Sequence, residues 1–549
     1  MSDPAPAPVE ASARPAASSP DDTETGRRRG GRPSWLRLGA AFGAGILVAL
    51  SFPPIDLGPL VLVALVPLLW AWRGARPAHA ALYGFAYGIA CFGAELTWVR
   101  YFGAVALVPF VAALAGTIAL TGAIVAAFAR RGIASPWITA SVWVFMEALF
   151  GRWPQGGFAW CNLGISLHDV PAARALASLG GVLLVSFVVV AVNAFLFDAV
   201  VAVRARRLGG ARPVALAAAG LVGLLLFTVV ADVARFEPTV TGKLRFALLQ
   251  GDDQELSLAD QTTQLLTQAH LALADELKGP YDLIVFPESS LDTDPQTDIG
   301  LREQIQQIAA KHDSAVLVNA RTAGTDGQVR NSNLLYTPEG TLQGVYSKQH
   351  LVPFGEYVPW RGELGFISEL RQIPYDFQAG DRTKVFDVKG TPVGSVICFE
   401  SAFGPLVRDF VKQGAQAIVV STNNRSYRRS GNSEQHLANS QMRAAETGRP
   451  VLQASVSGIS AVITPDGTVH DTTELFERTI VDGTIDTTTG ETPYVRFGDW
   501  IVALSALVLL GATVTFVVRS RRSVQESGRE EFHRGHQADD HHDGAQRLR

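Results

Sequence analysis

The sequence predicts a multi-pass α-helical membrane bundle of about eight transmembrane helices with a soluble α/β domain inserted before the last one. Hydrophobic residues make up 48% of the 549 positions and charged residues only 18%, a balance that points away from a wholly soluble chain. Runs free of formal charge recur at 38–55, 57–72, 80–94, 101–129, 132–146, 175–197 and 213–231, and once more at 500–518. Between the last two lies a long polar segment whose short apolar runs alternate with helical patterns.

A helix crossing the hydrocarbon core needs about 20 mostly apolar residues, so each run, with its flanks, is long enough to span or nearly span. Residues 1–35 are rich in Pro, Ala, Ser and charge and read as a disordered cytoplasmic tail. Their first apolar run begins only at Leu38, too late for a cleaved signal peptide and suited to an uncleaved anchor. Residues 36–232 then form a seven-helix bundle, 500–518 the eighth helix, and 519–549 a second disordered tail whose His533, His536, His541 and His542 read as solvated rather than as a metal site.

Orientation follows from the arginines, because short basic loops stay cytoplasmic. The N-terminal cluster Arg27, Arg28, Arg29 and Arg32, the loops holding Arg73/Arg76, Arg130/Arg131 and Arg204/Arg206/Arg207/Arg212, and the tail with Arg519/Arg521/Arg522 all fall on one side when helices alternate. Both termini are therefore expected inside, with 233–490 as an extracytoplasmic domain and 491–499 as a linker. In that domain strands are expected at 245–250, 283–286, 315–319, 393–397 and 417–421, and helices over 256–277 and 433–447. The net charge of −4 gives no domain-wide basic field and no reason to expect a nucleic-acid partner. Cys91, Cys161 and Cys398 are too dispersed for a disulfide framework or a zinc site; no metal or cofactor is expected.

Three apolar runs each end on one reactive side chain: Val285-Phe286-Pro287-Glu288-Ser289, Tyr346-Ser347-Lys348 followed by Leu351-Val352-Pro353-Phe354-Gly355-Glu356, and Val396-Ile397-Cys398-Phe399-Glu400. The carboxyl ends of strands in α/β sheets are where ligands and catalytic groups gather. Taken singly, Cys398 reads as a buried small hydrophobe, Lys348 as a surface charge and Glu288 as a polar residue closing a strand. In this order, with these neighbours, they resemble the Glu-Lys-Cys triad of the nitrilase superfamily, which implies an αββα sandwich. The chemistry suits the residue types. A thiol attacks acyl carbon as thiolate, an adjacent ammonium lowers its pKa, and a carboxylate takes its proton. Lys348 and a backbone N–H near Phe399 would meet the oxyanion.

A nitrilase-type domain between seven helices and a final one resembles the apolipoprotein N-acyltransferase family. The likeness covers about residues 36–518 and rests on Leu249-Gln250-Gly251, Pro287-Glu288-Ser289, Lys348 with the run to Glu356, Cys398 with Glu400, Gln435-His436-Leu437, Arg443-Ala444, Glu446-Thr447-Gly448-Arg449-Pro450 and Thr492-Pro493-Tyr494-Val495-Arg496-Phe497-Gly498-Asp499. In the bundle it includes Gly84-Phe85, Trp98, Glu147 and Gly157-Phe158-Ala159-Trp160. The resemblance implies Glu288 as base, Lys348 as oxyanion and thiolate stabiliser, Cys398 as acyl carrier, and Glu356 and Glu400 as supporting carboxylates, one of which orients the ammonium. It further implies a membrane phospholipid as acyl donor, a diacylglyceryl-cysteine apolipoprotein as acceptor, the bilayer as partner, a bacterial cytoplasmic membrane location and a monomer.

Two departures stand out: Phe399 follows the nucleophile where many relatives have Tyr, and Asn423-Asn424-Arg425-Ser426-Tyr427 replaces an Asn-Asp-x-Trp-Phe run. The latter is expected as a mobile loop over the acyl site, its Arg425, with Arg428 and Arg429, either meeting anionic headgroups or solvated. Glu95 and Glu147, acids within apolar runs, are expected to line a lipid path or to snorkel to the interface. Trp153, Phe158 and Trp160 are expected in an interfacial aromatic belt rather than in a substrate site. Two other functions fit parts of the pattern. A membrane-tethered amidase or ester hydrolase would use the same triad, and a transporter would carry many helices but commonly an internal repeat, which is not visible here.

Overall fold

The computed structural model describes residues 32–204, 212–252, 254, 263–324, 326–364 and 375–522. Of the two polar tails expected to be disordered, residues 1–31 and 523–549, with the C-terminal histidines, lie outside these residues, as does part of the arginine-rich loop near 204–212; 519–522 instead continue the last helix. Helices occupy every charge-free run: α1 (Trp35–Ala49), α2 (Val61–Ala64), α3 (Val66–Trp72), α4 (Pro77–Glu95), α5 (Ala104–Arg130), α6 (Pro136–Phe150), α7 (Pro171–Arg204) and α8 (Arg212–Val233). Later come α9 (Thr263–Asp275), α10 (Ile299–His312), α11 (Arg361–Leu364), α12 (Gly404–Lys412), α13 (Asn432–Thr447), α14 (Pro493–Phe497) and the closing α15 (Trp500–Arg522).

Among the described residues four helices, α5, α7, α8 and α15, are long and apolar enough to cross a bilayer by length and composition, fewer than the eight expected. The shorter α1, the 58–72 stretch and α6 are apolar but run only 10–17 residues. In the second run a 3₁₀ turn at Gly58–Leu60 and the break between α2 and α3, with Pro67 at the start of α3, interrupt what the sequence reads as one helix. The expected helix over 175–197 is also broken: α7 leaves helical geometry at Gly180 and Gly181, the latter at φ 73° and ψ 178°, a region essentially confined to glycine.

The soluble part holds two six-stranded sheets. The first runs in the order β12 (Thr479–Thr489), β1 (Thr239–Gln250), β2 (Leu283–Val285), β3 (Ala315–Ala323), β4 (Val329–Tyr336) and β5 (Leu342–Ser347). The second runs β11 (Val469–His470), β10 (Ala461–Ile463), β9 (Val451–Ser455), β8 (Ala417–Thr422), β7 (Thr391–Ile397) and β6 (Phe386–Val388). At the centre of each sheet the strands run parallel, β1–β2–β3 and β7–β8–β9, and the flanking pairs are antiparallel.

The period of two along the strands builds the layers. Leu244, Phe246 and Leu248, with Leu283, Val285 and Leu317, join a core containing Val393, Val396 and Val420 of the second sheet. The alternate residues Ala247, Leu249, Ile284, Val316 and Val318 pack on Leu273, Ala274, Ile305 and Ile308 of α9 and α10. One face of the first sheet thus meets the second sheet and the other is covered by helices, with α12 and α13 on the far side. The segment expected as a linker, 491–499, contains α14, whose Tyr494 and Val495 are buried.

Candidate active site

Glu288, Lys348 and Cys398 each stand just beyond the end of a strand, β2, β5 and β7 respectively. The strand ends bring them together. Lys348 is 1% exposed, and its Nζ donates to Glu288 Oε1 (3.0 Å) and lies 3.1 and 3.0 Å from the two oxygens of Glu356. An ammonium removed from water is costly unless paired and hydrogen-bonded. Burial pushes Lys348 down, but Glu288 and Glu356, with smaller contributions from Cys398 and Glu400, hold it well above its usual value.

The carboxylates are held in turn. Asn331 Nδ2 donates to Glu288 Oε1 (2.7 Å) and Glu356 Oε1 (2.8 Å), Asn423 N to Glu288 Oε2 (2.9 Å), and Val352 N to Glu356 Oε2 (2.8 Å). Asn331 is oriented by Asn319, whose amide donates to Asn331 Oδ1 (2.9 Å) and whose own Oδ1 accepts from Ser289 N (2.7 Å). The sequence reading missed these asparagines. The available signal was Asn331 and Asn333 recurring at a spacing of two, which sets both on one face of β4.

The two supporting acids have different places. Glu356 is the one that touches Lys348. Glu400 is fully buried and accepts from Tyr346 Oη (2.9 Å), Gln349 N (2.6 Å), His350 N (3.1 Å) and Ile397 N (2.8 Å). It joins the backbone beside Lys348 to the backbone beside Cys398. Burial lifts its carboxyl to about 7 even against these donors.

Cys398 opens a 3₁₀ turn, Cys398–Ala402, at φ 52°, an unusual conformation for a side-chain-bearing residue. Its carbonyl accepts from His436 Nε2 (3.0 Å), while His436 Nδ1 accepts from Asn424 Nδ2 (3.3 Å). Burial holds this imidazole down at about 3, so it is neutral and its donor face is fixed. Lys348 pulls the thiol down, as expected, but other contributions outweigh it. Burial and the Glu288 carboxylate push Cys398 up to about 12, against the pull of Lys348 and Thr422.

Cys398 opens onto an apolar cleft lined by Trp98, Phe102, Phe110, Phe158, Trp160 and Tyr427, among others. Phe158 and Trp160 therefore belong to the cleft and not to an interfacial belt, and both stack on Phe399, at 5.6 and 5.9 Å between centroids. Trp153 remains 62% exposed. The 423–427 segment is built into the site rather than laid over it: Tyr427 packs edge-on against Trp98 (5.0 Å), and Arg425, 3% exposed, pairs with Asp252 (2.6 Å). Arg425 thus faces inward and not toward headgroups, while Arg428 and Arg429 lie over Tyr101 and Phe476. Glu95 and Glu147 line one further cavity among α4, α5 and α6, which shares Phe158 with the cleft.

Asp56, His168 and Asp169 bring ligand-type atoms within 4.8 Å of one another. Burial lowers His168, but Asp169 and Asp56 more than offset it and hold the imidazole up at about 9. The ring is bonded to Asp56 (3.1 Å) and Gln441 (2.7 Å) and so bridges the loop after α1 to α13.

Two family models match the chain: the apolipoprotein N-acyltransferase N-terminal domain over residues 44–195 and the carbon-nitrogen hydrolase family over 245–494. An apolipoprotein N-acyltransferase of Geobacter metallireducens is 30% identical over 88% of this chain and 95% of its own length. That of Pseudomonas syringae pv. tomato is 31% identical over 87% and 97%. Among solved structures, a CN-hydrolase superfamily protein from Xanthomonas campestris, 20% identical, covers 45% of this chain and 91% of its own with a TM-score of 0.35. With near-full-length relatives of one kind and both parts matched by their models, the chain belongs to the apolipoprotein N-acyltransferase family.

Proposed function

We propose that this protein moves a fatty acyl chain from a membrane phospholipid, through a thioester on Cys398, to the α-amine of the diacylglyceryl-cysteine of an apolipoprotein. The observation that carries this reading is the position of Cys398, which feels the charges of the buried Glu288–Lys348 pair and lines an apolar cleft walled by bundle aromatics. A soluble amide needs no such cleft. An acyl chain does, since each buried methylene contributes about 0.8 kcal/mol.

In the resting site the thiol is protonated, and Lys348 is already balanced by two carboxylates. Attack therefore couples to proton transfer. As sulfur bonds to the ester carbonyl carbon, Glu288 takes the thiol proton and Lys348 faces the developing oxyanion. Collapse breaks the ester C–O bond, and the proton on Glu288 leaves with the lysophospholipid. In the second half-reaction Glu288 takes a proton from the amine as nitrogen bonds to the thioester carbon. The C–S bond breaks, and that proton returns to sulfur. Glu356 holds the ammonium in place, and Glu400 keeps the two backbone segments in register.

The same reading places the catalytic part on the extracytoplasmic face of a bacterial cytoplasmic membrane, with eight spans and both ends inside, on the strength of the alternating arginine-rich loops. In intact spheroplasts a cysteine at the exposed Gln328 is expected to react with an impermeant thiol reagent and one at Gly132 is not. The reverse pattern contradicts the orientation.

Transfer is distinguished from hydrolysis by the acceptor. With phospholipid present, a diacylated lipopeptide bearing a free α-amine is expected to become an amide, and the acetylated lipopeptide is not. Free fatty acid released at equal rates with either peptide, with no amide formed, establishes a hydrolase instead.

Lys348→Arg keeps the charge but places a broad planar guanidinium where a compact ammonium fits between two acids. Its turnover is expected to fall by about a hundredfold or more in protein that still melts cooperatively. Near wild-type turnover removes Lys348 from the role assigned to it.

A further inference from the structure

Gln435, at the start of α13, sits where the bundle meets the catalytic part. It is 4% exposed, and its side chain makes four hydrogen bonds. Its Oε1 accepts from the indole N–H of Trp98 (3.1 Å) and of Trp160 (2.9 Å), and its Nε2 donates to the carbonyls of Pro53 (3.1 Å) and Glu95 (3.0 Å). An indole only donates and a carbonyl only accepts, so the amide can sit in one orientation and every valence of it is used. The four partners come from three separate stretches of the bundle, around Pro53, Glu95–Trp98 and Trp160, and the two indoles are walls of the cleft that opens on Cys398.

The neighbouring side chain on the same helix is His436, which holds the Cys398 carbonyl. Trp160 packs on His436 (5.4 Å between centroids), on Trp98 (5.9 Å) and on Phe399 (5.9 Å). Nucleophile and cleft wall are thus set by adjacent residues of one helix turn. Without the Gln435 acceptor both indole N–H groups would be buried without a partner, at a cost of roughly 1–3 kcal/mol each. The rings would turn to find other acceptors, and the cleft would change width beside the reacting sulfur.

We propose that Gln435 is a positioning residue that sets acyl-chain selectivity by fixing the Trp98 and Trp160 indoles as the rigid wall of the acyl cleft. The inference rests on the acyl-transfer reading, because only an enzyme that seats a chain there has such a selectivity. Gln435 does not touch the reacting atoms. Its loss acts on which chain is accepted more than on the chemistry at sulfur.

The test uses the full-length enzyme in detergent micelles containing dipalmitoyl or dioctanoyl phosphatidylethanolamine, with kcat/KM measured for acyl-enzyme formation from each. Gln435→Met, similar in length but unable to accept from either indole, is expected to change the palmitoyl-to-octanoyl ratio by about tenfold. Gln435→Glu keeps an acceptor for both indoles, although its protonated carboxyl can donate to only one of the two carbonyls, and is expected to shift the ratio by much less than Gln435→Met does. A ratio unchanged in Gln435→Met, or the same shift in both variants, overturns the proposal. If Gln435→Met does not fold, Trp98→Phe removes one of the two indole donors from the bundle side, and a wild-type ratio there overturns it equally. Wild-type enzyme that forms no acyl-enzyme from either donor fails the acyl-transfer reading itself, a result distinct from an unchanged ratio.

Discussion

A lysine ammonium almost wholly removed from water sets the terms for everything around it. Lys348 is tolerable at 1% exposure only because two carboxylates face it, and those carboxylates are tolerable only because asparagine and backbone donors fill their remaining lone pairs. Removing one partner of such a buried pair leaves an uncompensated charge costing about 3–5 kcal/mol. The site is therefore rigid by necessity. Burial first, and then the same negative surroundings, explain why the Cys398 thiol sits high: a thiolate beside Glu288 is favoured only once that carboxylate takes the proton. In the proposed mechanism the resting enzyme keeps a protonated sulfur, and the arriving ester supplies the acceptor that makes proton transfer productive.

Helix α13 carries this rigidity to the membrane part. His436 and Arg443, seven positions and about two turns apart, hold the two ends of the nucleophile turn through the carbonyls of Cys398 and Ala402. Gln435, Gln441 and Glu446 face the bundle. The Glu446 carboxylate accepts from Arg443 (3.1 Å) and from Val182 N (2.7 Å), the first amide of α7 beyond its glycine break. A carboxylate there meets the positive end of a helix segment, so the break at Gly180 and Gly181 creates the terminus on which the catalytic part is seated. A nearly all-buried polar helix makes sense in this place, since Gln435, His436, Gln441, Arg443 and Glu446 each bond to a group in one half or the other.

Much of this was legible in the sequence. The strands that deliver Glu288, Lys348 and Cys398 read as apolar runs ending on a reactive residue, and α13 read as a helix from its apolar spacing. What the sequence concealed was long-range. Nothing local tells Glu356, eight residues from Lys348, from Glu400, fifty-two away, as the partner of its ammonium; the fold decides, and Glu400 serves the backbone instead. Arg425 read as a cation for headgroups or for solvent because its ion pair with Asp252 spans two distant loops. Phe158 and Trp160 read as a belt because aromatics near a helix end suit an interface, and only the turn back toward Cys398 makes them a cleft wall. The Gly180-Gly181 break sits inside an apolar run, and glycines are common in membrane helices without breaking them.

The claim at the centre of this account is that Cys398 carries the acyl chain. Its most direct test is the mass of the peptide containing Cys398 after incubation of the purified enzyme with phospholipid and no acceptor. The account predicts an added fatty acyl mass that hydroxylamine removes and that is absent in Cys398→Ala. An unmodified Cys398 peptide in enzyme that goes on to form amide product when the lipopeptide is added would contradict it.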